Sequence, residues 1–370
     1  MKIAVISSCV FPCGTQGPVS PLPGYGGLEA ISWHCAKGLA KLGHRVILIA
    51  PDGSACPDVQ MFHTGPAGTF NEQQAYGGDP KRNYGGYWPA LLQVDCTIDH
   101  SWQAWAFMLK AEGRLKTPIL KVLHAPVDTC FKELPPVEKP CMVCISDDQR
   151  SHFEALWNRP ARTCHNGVDL DFYRPLGIPR SDRFLFLARF SSIKGPHIAL
   201  KSCLDAGVGL DLIGDVSITN EPDYFRECQR LSERESPGWD RSKGKQIRLV
   251  GPVGRGEAVW WFSQAKALLH ANKLFREPFG LAPVEAMACG TPVVAFNNGA
   301  MRETIVDGKT GWLVNSEEEF TAKVKELKAE GSIGSDQRAD CRVQAERFGV
   351  ARMCQRYEEL CTEAIKTGGW

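Results

Sequence analysis

Two α/β units in tandem, each a parallel sheet flanked by crossover helices, are the architecture this chain predicts. Three observations carry that prediction. Strand-like apolar runs alternate with helix-like segments along the whole chain, which is the pattern of successive βαβ units. At 370 residues the chain exceeds what a single hydrophobic core usually fills. A stretch rich in Gly, Pro and Asp, HNGVDLDFYRPLGIPRSD at 165–182, interrupts the alternation near its middle.

The elements follow in order. MKIAVISSCVF carries one Lys and a short apolar run that breaks at Pro12 without a cleavage signature, so it reads as a buried strand at 3–8 and not as a signal peptide. Further strands are predicted at 45–50, 95–99, 118–123 and 141–145, with helices near 27–42, 103–112 and 147–157. These make a first domain over 1–170. FLFLARF at 184–190 opens a second series, with strands near 210–213, 247–250, 267–270 and 292–295 and helices between them, over 171–349. The last segment, 350–366, places Val350, Met353, Cys354, Tyr357, Leu360 and Cys361 at helical spacing. No G-x-G-x-x-G dinucleotide fingerprint and no shorter internal repeat occur. The long polar stretch 65–90, studded with Gly and Tyr, borders a binding site or is a surface insertion.

Composition narrows the function. Hydrophobic residues make up 43% and charged residues 23%, as in an ordinary globular protein. A formal net charge of +1 lacks the basic footprint of a nucleic-acid binder. Fifteen cysteines are scattered through predicted strands and helices, which suits reduced, small apolar residues of a cytoplasmic enzyme. Cys141 and Cys144 form the one C-x-x-C, inside a strand-like run and without a second pair, so a zinc site is not expected. No apolar stretch reaches the roughly 18 residues of a membrane span. The segment from Trp102 to Lys116 mixes aromatics with Lys110 and Arg114 and reads as a core-packing helix or as a weak peripheral membrane contact.

The densest chemical signal is EPFGLAPVEAMACGTPVVA at 277–295. Pro283, with no N–H and a fixed φ, suits a first helical turn, so the helix starts near Leu281 or Ala282 with Gly280 just before it. The orphan amides there, aided by the helix dipole, suit a phosphate. Glu277 and Glu285 flank that point and can accept hydrogen bonds from hydroxyls on either side, as a nucleotide-sugar would offer. The alternative reading makes Glu277 a helix cap and Glu285 a solvated acid. Gly24, Gly26 and Gly27 precede another helix start, where missing Cβ atoms let backbone amides approach a ligand or simply ease a tight turn. Arg189 and Lys194 end the second unit's first strand, where ligands of open parallel sheets bind; two cations there neutralise a diphosphate or are merely solvated. His100 and His124 end neighbouring strands of the first unit, as site residues or as structural ones.

The stretch 277–295 resembles the E-x7-E signature of retaining glycosyltransferases of the GT-B fold, family 4, with Pro278 where the family usually has glycine. NNGAMRETIVDGKTGWLV at 297–314, PGYGGLEA at 23–30, NGVD at 166–169 and ARFSSIKG at 188–195 (Ala188 replacing a glycine) resemble the same family in the same order. The resemblance implies two Rossmann-like domains facing a central cleft, the C-terminal helix crossing back to the N-terminal domain. It implies that Gly26, Gly27, Arg189, Lys194, Gly251, Glu277, Phe279, Gly280, Leu281, Ala282 and Glu285 bind a UDP- or GDP-hexose donor, the backbone after Gly251 holding the base. Glu29, Asp99 and His100 would face the acceptor. His124, Arg189, Lys194 and Glu277 would be catalytic. Asn297, Asn298 and Gly299 would add donors near the phosphates or sugar, and Glu303 would be structural. No cofactor and no essential metal are expected, and attack from the sugar's front face would retain anomeric configuration. The acceptor, whether small molecule, glycan or lipid-linked, stays open. Two alternatives also stay open: a phosphorylase or nucleotide-sugar hydrolase of the same fold, and a catalytically silent nucleotide-sugar-binding subunit.

Overall fold

The computed structural model describes residues 1–14, 26–67, 86–102, 105–130, 137–214, 216, 221–274, 276–331 and 333–370. Gly24 and most of the 65–90 stretch, both singled out above, lie outside the described residues. The chain divides into two compact units: residues up to Gly167 together with Val350–Trp370, and Val168–Gly349. The break at Gly167 falls inside the polar connector expected at 165–182.

The first unit is built on a seven-stranded sheet. Its strands are β1 (Lys2–Ile6), β2 (Arg45–Ala50), β3 (Gln60–His63), β4 (Cys96–Asp99), β5 (Ile119–Leu123), β6 (Met142–Cys144) and β7 (Ala161–Thr163). They lie in the order β3-β2-β1-β4-β5-β6-β7, every neighbouring pair parallel. β1, β4, β5 and β6 are buried almost throughout, because both faces of a parallel sheet carry helices. The helix Gly27–Lys41 buries Ile31, Cys35, Ala36 and Leu39. In the helix Trp105–Ala111, Trp105, Phe107 and Leu109 are buried, and Lys110 Nζ donates to the carbonyl of Thr117 at 2.9 Å. Trp105 and Phe107 of that segment thus serve the core, while Trp102 is half-buried. The C-terminal helix Val350–Thr367 buries Met353, Cys354, Tyr357, Leu360, Cys361 and Ala364, the stripe its spacing predicts less Val350, and Arg162 pairs with Glu363 at 2.8 Å.

The second unit repeats the plan with six strands: β8 (Phe184–Leu187), β9 (Leu210–Ile213), β10 (Ile247–Gly251), β11 (Leu268–His270), β12 (Val293–Phe296) and β13 (Gly311–Val314). The order is β10-β9-β8-β11-β12-β13, again all parallel. Both sheets therefore have the doubly wound 3-2-1-4-5-6 arrangement, the first with one strand more. Phe184, Phe186, Phe190, Leu210, Leu212, Phe296 and Phe320 form the heart of the second core. Three strands that the apolar runs do not predict, β3, β7 and β13, are all edge strands. Edge strands are short and half solvated, so they lack the continuous apolar signature of central ones.

The cysteines are reduced among the described residues, all of them buried. Cys141 and Cys144 follow the same rule: burial pushes their thiols up to about 11 and about 12. Neither is poised as a thiolate ligand.

Candidate functional site

In a doubly wound sheet the strand order reverses at one point, and the carboxyl ends of the two strands there leave a crevice. In the second unit that point lies between β8 and β11. Arg189 follows β8, and the turn Ser192–Lys194 carries Lys194. Gly195 ends this turn with φ of +67°, and a Cβ there would sit 2.2 Å from the Ala271 carbonyl oxygen just past β11. Only glycine allows so close an approach, and the approach brings Lys194 to the end of β11.

There Lys194 Nζ meets Glu277 Oε2 at 2.7 Å. Asn272 Nδ2 donates to the same oxygen at 2.6 Å, and His270 Nε2 stands 3.6 Å from it. Glu277 is buried, and a buried carboxylate is costly unless paired and hydrogen-bonded. Burial pushes its carboxyl up, but the Lys194 ammonium and the neighbouring imidazole of His270 override that and hold it well below the usual carboxylate range. The backbone of Glu277 is fixed as well. Ala300 N–H donates to its carbonyl at 2.9 Å, and Gly299, at φ of +59°, packs so close that a Cβ would lie 2.6 Å from the Glu277 nitrogen. Gly299 thus shapes the backbone under the carboxylate. Asn297 accepts from Arg302 at 2.7 Å, and Asn298 Nδ2 reaches the Lys273 carbonyl at 3.5 Å.

The helix Leu281–Ala288 begins where Pro283 predicts, with Gly280 as its left-handed cap and no side-chain capping bond. Its first amides have no partner within the helix, the arrangement that receives anions. Glu285, one turn in, accepts a hydrogen bond from the buried Tyr173 phenol and lies near Arg255; burial still pushes its carboxyl up. The Phe279 side chain is buried, edge-on to Phe348 with ring centroids 5.6 Å apart, so only its backbone is available to a ligand. Gly251, φ +87°, ends β10 with open space where a Cβ would be.

In the first unit the reversal falls between β1 and β4. Gly26, φ +110°, caps the helix Gly27–Lys41, and Glu29 in its first turn is buried and accepts from the hydroxyl of Ser8, past the end of β1. Asp99 ends β4 and binds Ser101 through that residue's N–H at 2.9 Å and hydroxyl at 2.6 Å. His100 and His124 are joined directly, Nδ1 to Nε2, at 2.8 Å. Burial and then the charge of Lys121 push His124 down to about 3, and burial, His124 and Lys121 hold His100 well below its ordinary value. Both imidazoles are therefore neutral at physiological pH.

Sequence reasoning singled out both switch-point clusters but missed Asn272, Tyr173, Arg255, Gly195 and Lys121. The signal for Asn272 was present: LLHAN ends a strand in the way that LARF does. Lys121, a lone charge inside the apolar run ILKVL, was legible as an anomaly.

Two doubly wound sheets in tandem, each with a crevice at its switch point, are the architecture of the GT-B class. Residues 25–172 match the model described as Glycosyltransferase Family 4, and residues 174–348 match Glycosyl transferases group 1. The chain belongs to this glycosyltransferase family. It is 28% identical over 221 residues to D-inositol 3-phosphate glycosyltransferase 1 of Catenulispora acidiphila, covering 56% of this chain and 52% of that protein. The chain thus spans about half the length of the curated relative it matches. Sucrose-phosphate synthase of Thermosynechococcus elongatus superimposes with a TM-score of 0.78 at 18% identity, over 99% of each chain. An Anabaena protein, HepE, solved with UDP and glucose, gives 0.73 at 17% identity, over 98% of this chain and 99% of that one. These two likenesses establish the GT-B fold.

Proposed function

We propose that this protein is a retaining hexosyltransferase that moves a hexose from a UDP- or GDP-sugar to a hydroxyl acceptor without a metal ion. The observation that carries the reading is the Lys194–Glu277 pair beside the start of the helix Leu281–Ala288. An ammonium has three donors, so Lys194 can hold Glu277 and a phosphate oxygen together. With Arg189 and the amides of Leu281 and Ala282 it supplies positive potential where charge grows on the departing diphosphate. Glu277, kept ionised, and Glu285 accept hydrogen bonds from the hydroxyl-bearing groups at the two ends of that diphosphate. The HepE complex with UDP and glucose supports a uridine donor, and the inositol-phosphate relatives support a polyhydroxylated acceptor.

His124 faces the sugar in this reading, and Glu29, Asp99 and His100 border the acceptor. With one nitrogen of each ring used in the His100–His124 bond, a neutral imidazole offers its other nitrogen to a hydroxyl without adding a charge that would oppose positive charge building on the sugar carbon. The departing phosphate takes the acceptor proton. The reduced, buried cysteines fit a cytoplasmic setting.

The test is a donor screen with purified protein, EDTA and UDP-, GDP-, ADP- and dTDP-sugars, reading thermal shift and nucleotide release. Stabilisation with slow release from one donor, and an axial or equatorial product matching that donor by NMR, supports the proposal. No response to any nucleotide-sugar overturns it.

A further inference from the structure

The first unit carries a buried cation that the proposed reaction does not use. Lys121 sits in the middle of β5, 4% exposed, in a run otherwise made of Ile, Leu and Val. Its strand register places it beside Asp99 of β4, and neighbours in a parallel sheet point to the same face. The ammonium donates to the Ser101 carbonyl and lies 3.3 Å from Asp99 Oδ2. Asp99 in turn accepts from Ser101 through the other oxygen. The residues on both sides of His100 are thus fastened by one ammonium. His100 also meets Tyr357 of the C-terminal helix, edge-on at 5.7 Å between ring centroids, and its Nδ1 meets His124 Nε2 at 2.8 Å.

A buried lysine costs several kcal/mol of desolvation unless paired. A leucine at 121 would satisfy the sheet without that cost, so the charge needs another reason. A hydrogen bond between two uncharged imidazoles requires one ring to donate and the other to accept. Protonating either ring beside a fixed ammonium is opposed by like charge. We propose that Lys121 is a positioning residue that keeps the His100–His124 pair uncharged and in one orientation. Among the described residues, the charged and titratable groups bearing on the pair include Lys121 of β5, Asp99 of β4 and the Tyr357 phenol of the C-terminal helix. Asp99 offsets part of that charge through Oδ2 while Ser101 holds its other oxygen, and of the two it is the ammonium that bears on both imidazoles. The kinetic consequence rests on the sugar-facing reading of His124; the protonation state of the pair does not.

The experiment is imidazole ¹⁵N NMR of the full chain between pH 8 and pH 5, on the wild type and on Lys121→Met, Lys121→Arg and the double variant Asp99→Asn/Lys121→Met. The wild type and Lys121→Arg show both rings neutral throughout. Lys121→Met shows one ring titrating within the range, and its kcat/KM falls about tenfold per pH unit below that midpoint while the wild type stays flat. The double variant, which leaves no buried charge unpaired, gives the same titration should Lys121→Met not fold. Rings that titrate in the wild type, or that stay neutral when Lys121 is replaced in a folded variant, overturn the proposal. Absence of nucleotide-sugar binding by the wild type would instead strike the functional reading and leave the NMR result standing.

Discussion

Lys194 Nζ and Glu277 Oε2 lie 2.7 Å apart although 83 residues separate them in the chain. The pair exists because β8 and β11 are neighbours at the point where the strand order reverses, so residues following two distant strands emerge side by side. Gly195 closes the remaining gap by letting its backbone approach the Ala271 carbonyl. The same pair that keeps Glu277 ionised also places a cation beside a helix start, so under the proposed function folding and donor binding depend on one contact.

Removing the cation should therefore cost stability. Lys194→Met leaves the Glu277 carboxylate buried with Asn272 and His270 as its remaining neighbours, and breaking a buried pair from one side costs about 3–5 kcal/mol. Glu277→Gln, which keeps shape and removes the charge, should cost less. Urea unfolding at pH 7.5 measures both; equal stability of Lys194→Met and wild type would refute the buried-pair description.

Backbone geometry gives a prediction of opposite signs at two glycines. Gly195→Ala meets the Ala271 carbonyl from a left-handed backbone and should destabilise by more than about 1 kcal/mol. Gly256→Ala, within the helix Arg255–Gln264 and with open space around the new methyl, should stabilise by about 0.5–1 kcal/mol. Thermal midpoints of the two variants, measured together, must move in opposite directions.

The neutral imidazole pair sets a pH dependence. His124 has its folded value pushed down to about 3, and His100 is also lowered. Between about pH 6.5, the ordinary histidine value, and that lower value the unfolded chain binds more protons than the native one. Stability is then complete above about pH 6.5 and declines as pH falls, by up to about 1.4 kcal/mol per pH unit for each imidazole. Glu277, held low, adds a loss that starts only below the ordinary glutamate range. Unfolding free energies from pH 7.5 to pH 4.5 should fall more steeply for the wild type than for His124→Gln; parallel curves would contradict the assignment.

Glu285 should behave in the opposite sense. Its carboxyl is raised by burial despite Arg255 and Tyr173, so its contribution is present at low pH and declines as pH rises through its folded value. Tyr173→Phe removes the hydrogen bond from the phenol and should raise the carboxyl further, weakening donor affinity by about tenfold at neutral pH if Glu285 binds as the ion. Isothermal titration with the donor at pH 6 and pH 8 checks this, and unchanged affinity would detach Glu285 from the donor.

Much of this was legible in the amino-acid sequence, for identifiable reasons. The central strands announce themselves because burial on both faces leaves continuous apolar runs, as in KIAVI and RVILIA. Pro283 marks the helix start at Leu281 through its fixed φ and missing N–H. The edge strands β3, β7 and β13 were hidden because half of their residues meet solvent and the alternation that would betray them is only three or four residues long. Asn272 and Tyr173 were hidden for another reason: their partners, Glu277 and Glu285, are fixed by tertiary approach and not by spacing along the chain. The direct His100–His124 bond was foreshadowed by their positions at neighbouring strand ends; Lys121 stood out only as a charge in an apolar run, and its contacts with Ser101 and Asp99 were not legible.

The central claim, that the Lys194–Glu277 crevice holds the donor diphosphate, is tested most directly by titrating UDP and GDP into the wild type and three variants in EDTA. Lys194→Met and Arg189→Gln each remove one charge-assisted contact and should weaken binding by about 10- to 100-fold. Lys309→Met removes an exposed cation paired with Asp340 elsewhere in the same unit and should leave affinity unchanged. Wild-type affinity in a folded Lys194→Met protein, or binding that appears only when a divalent metal is restored, would contradict the account.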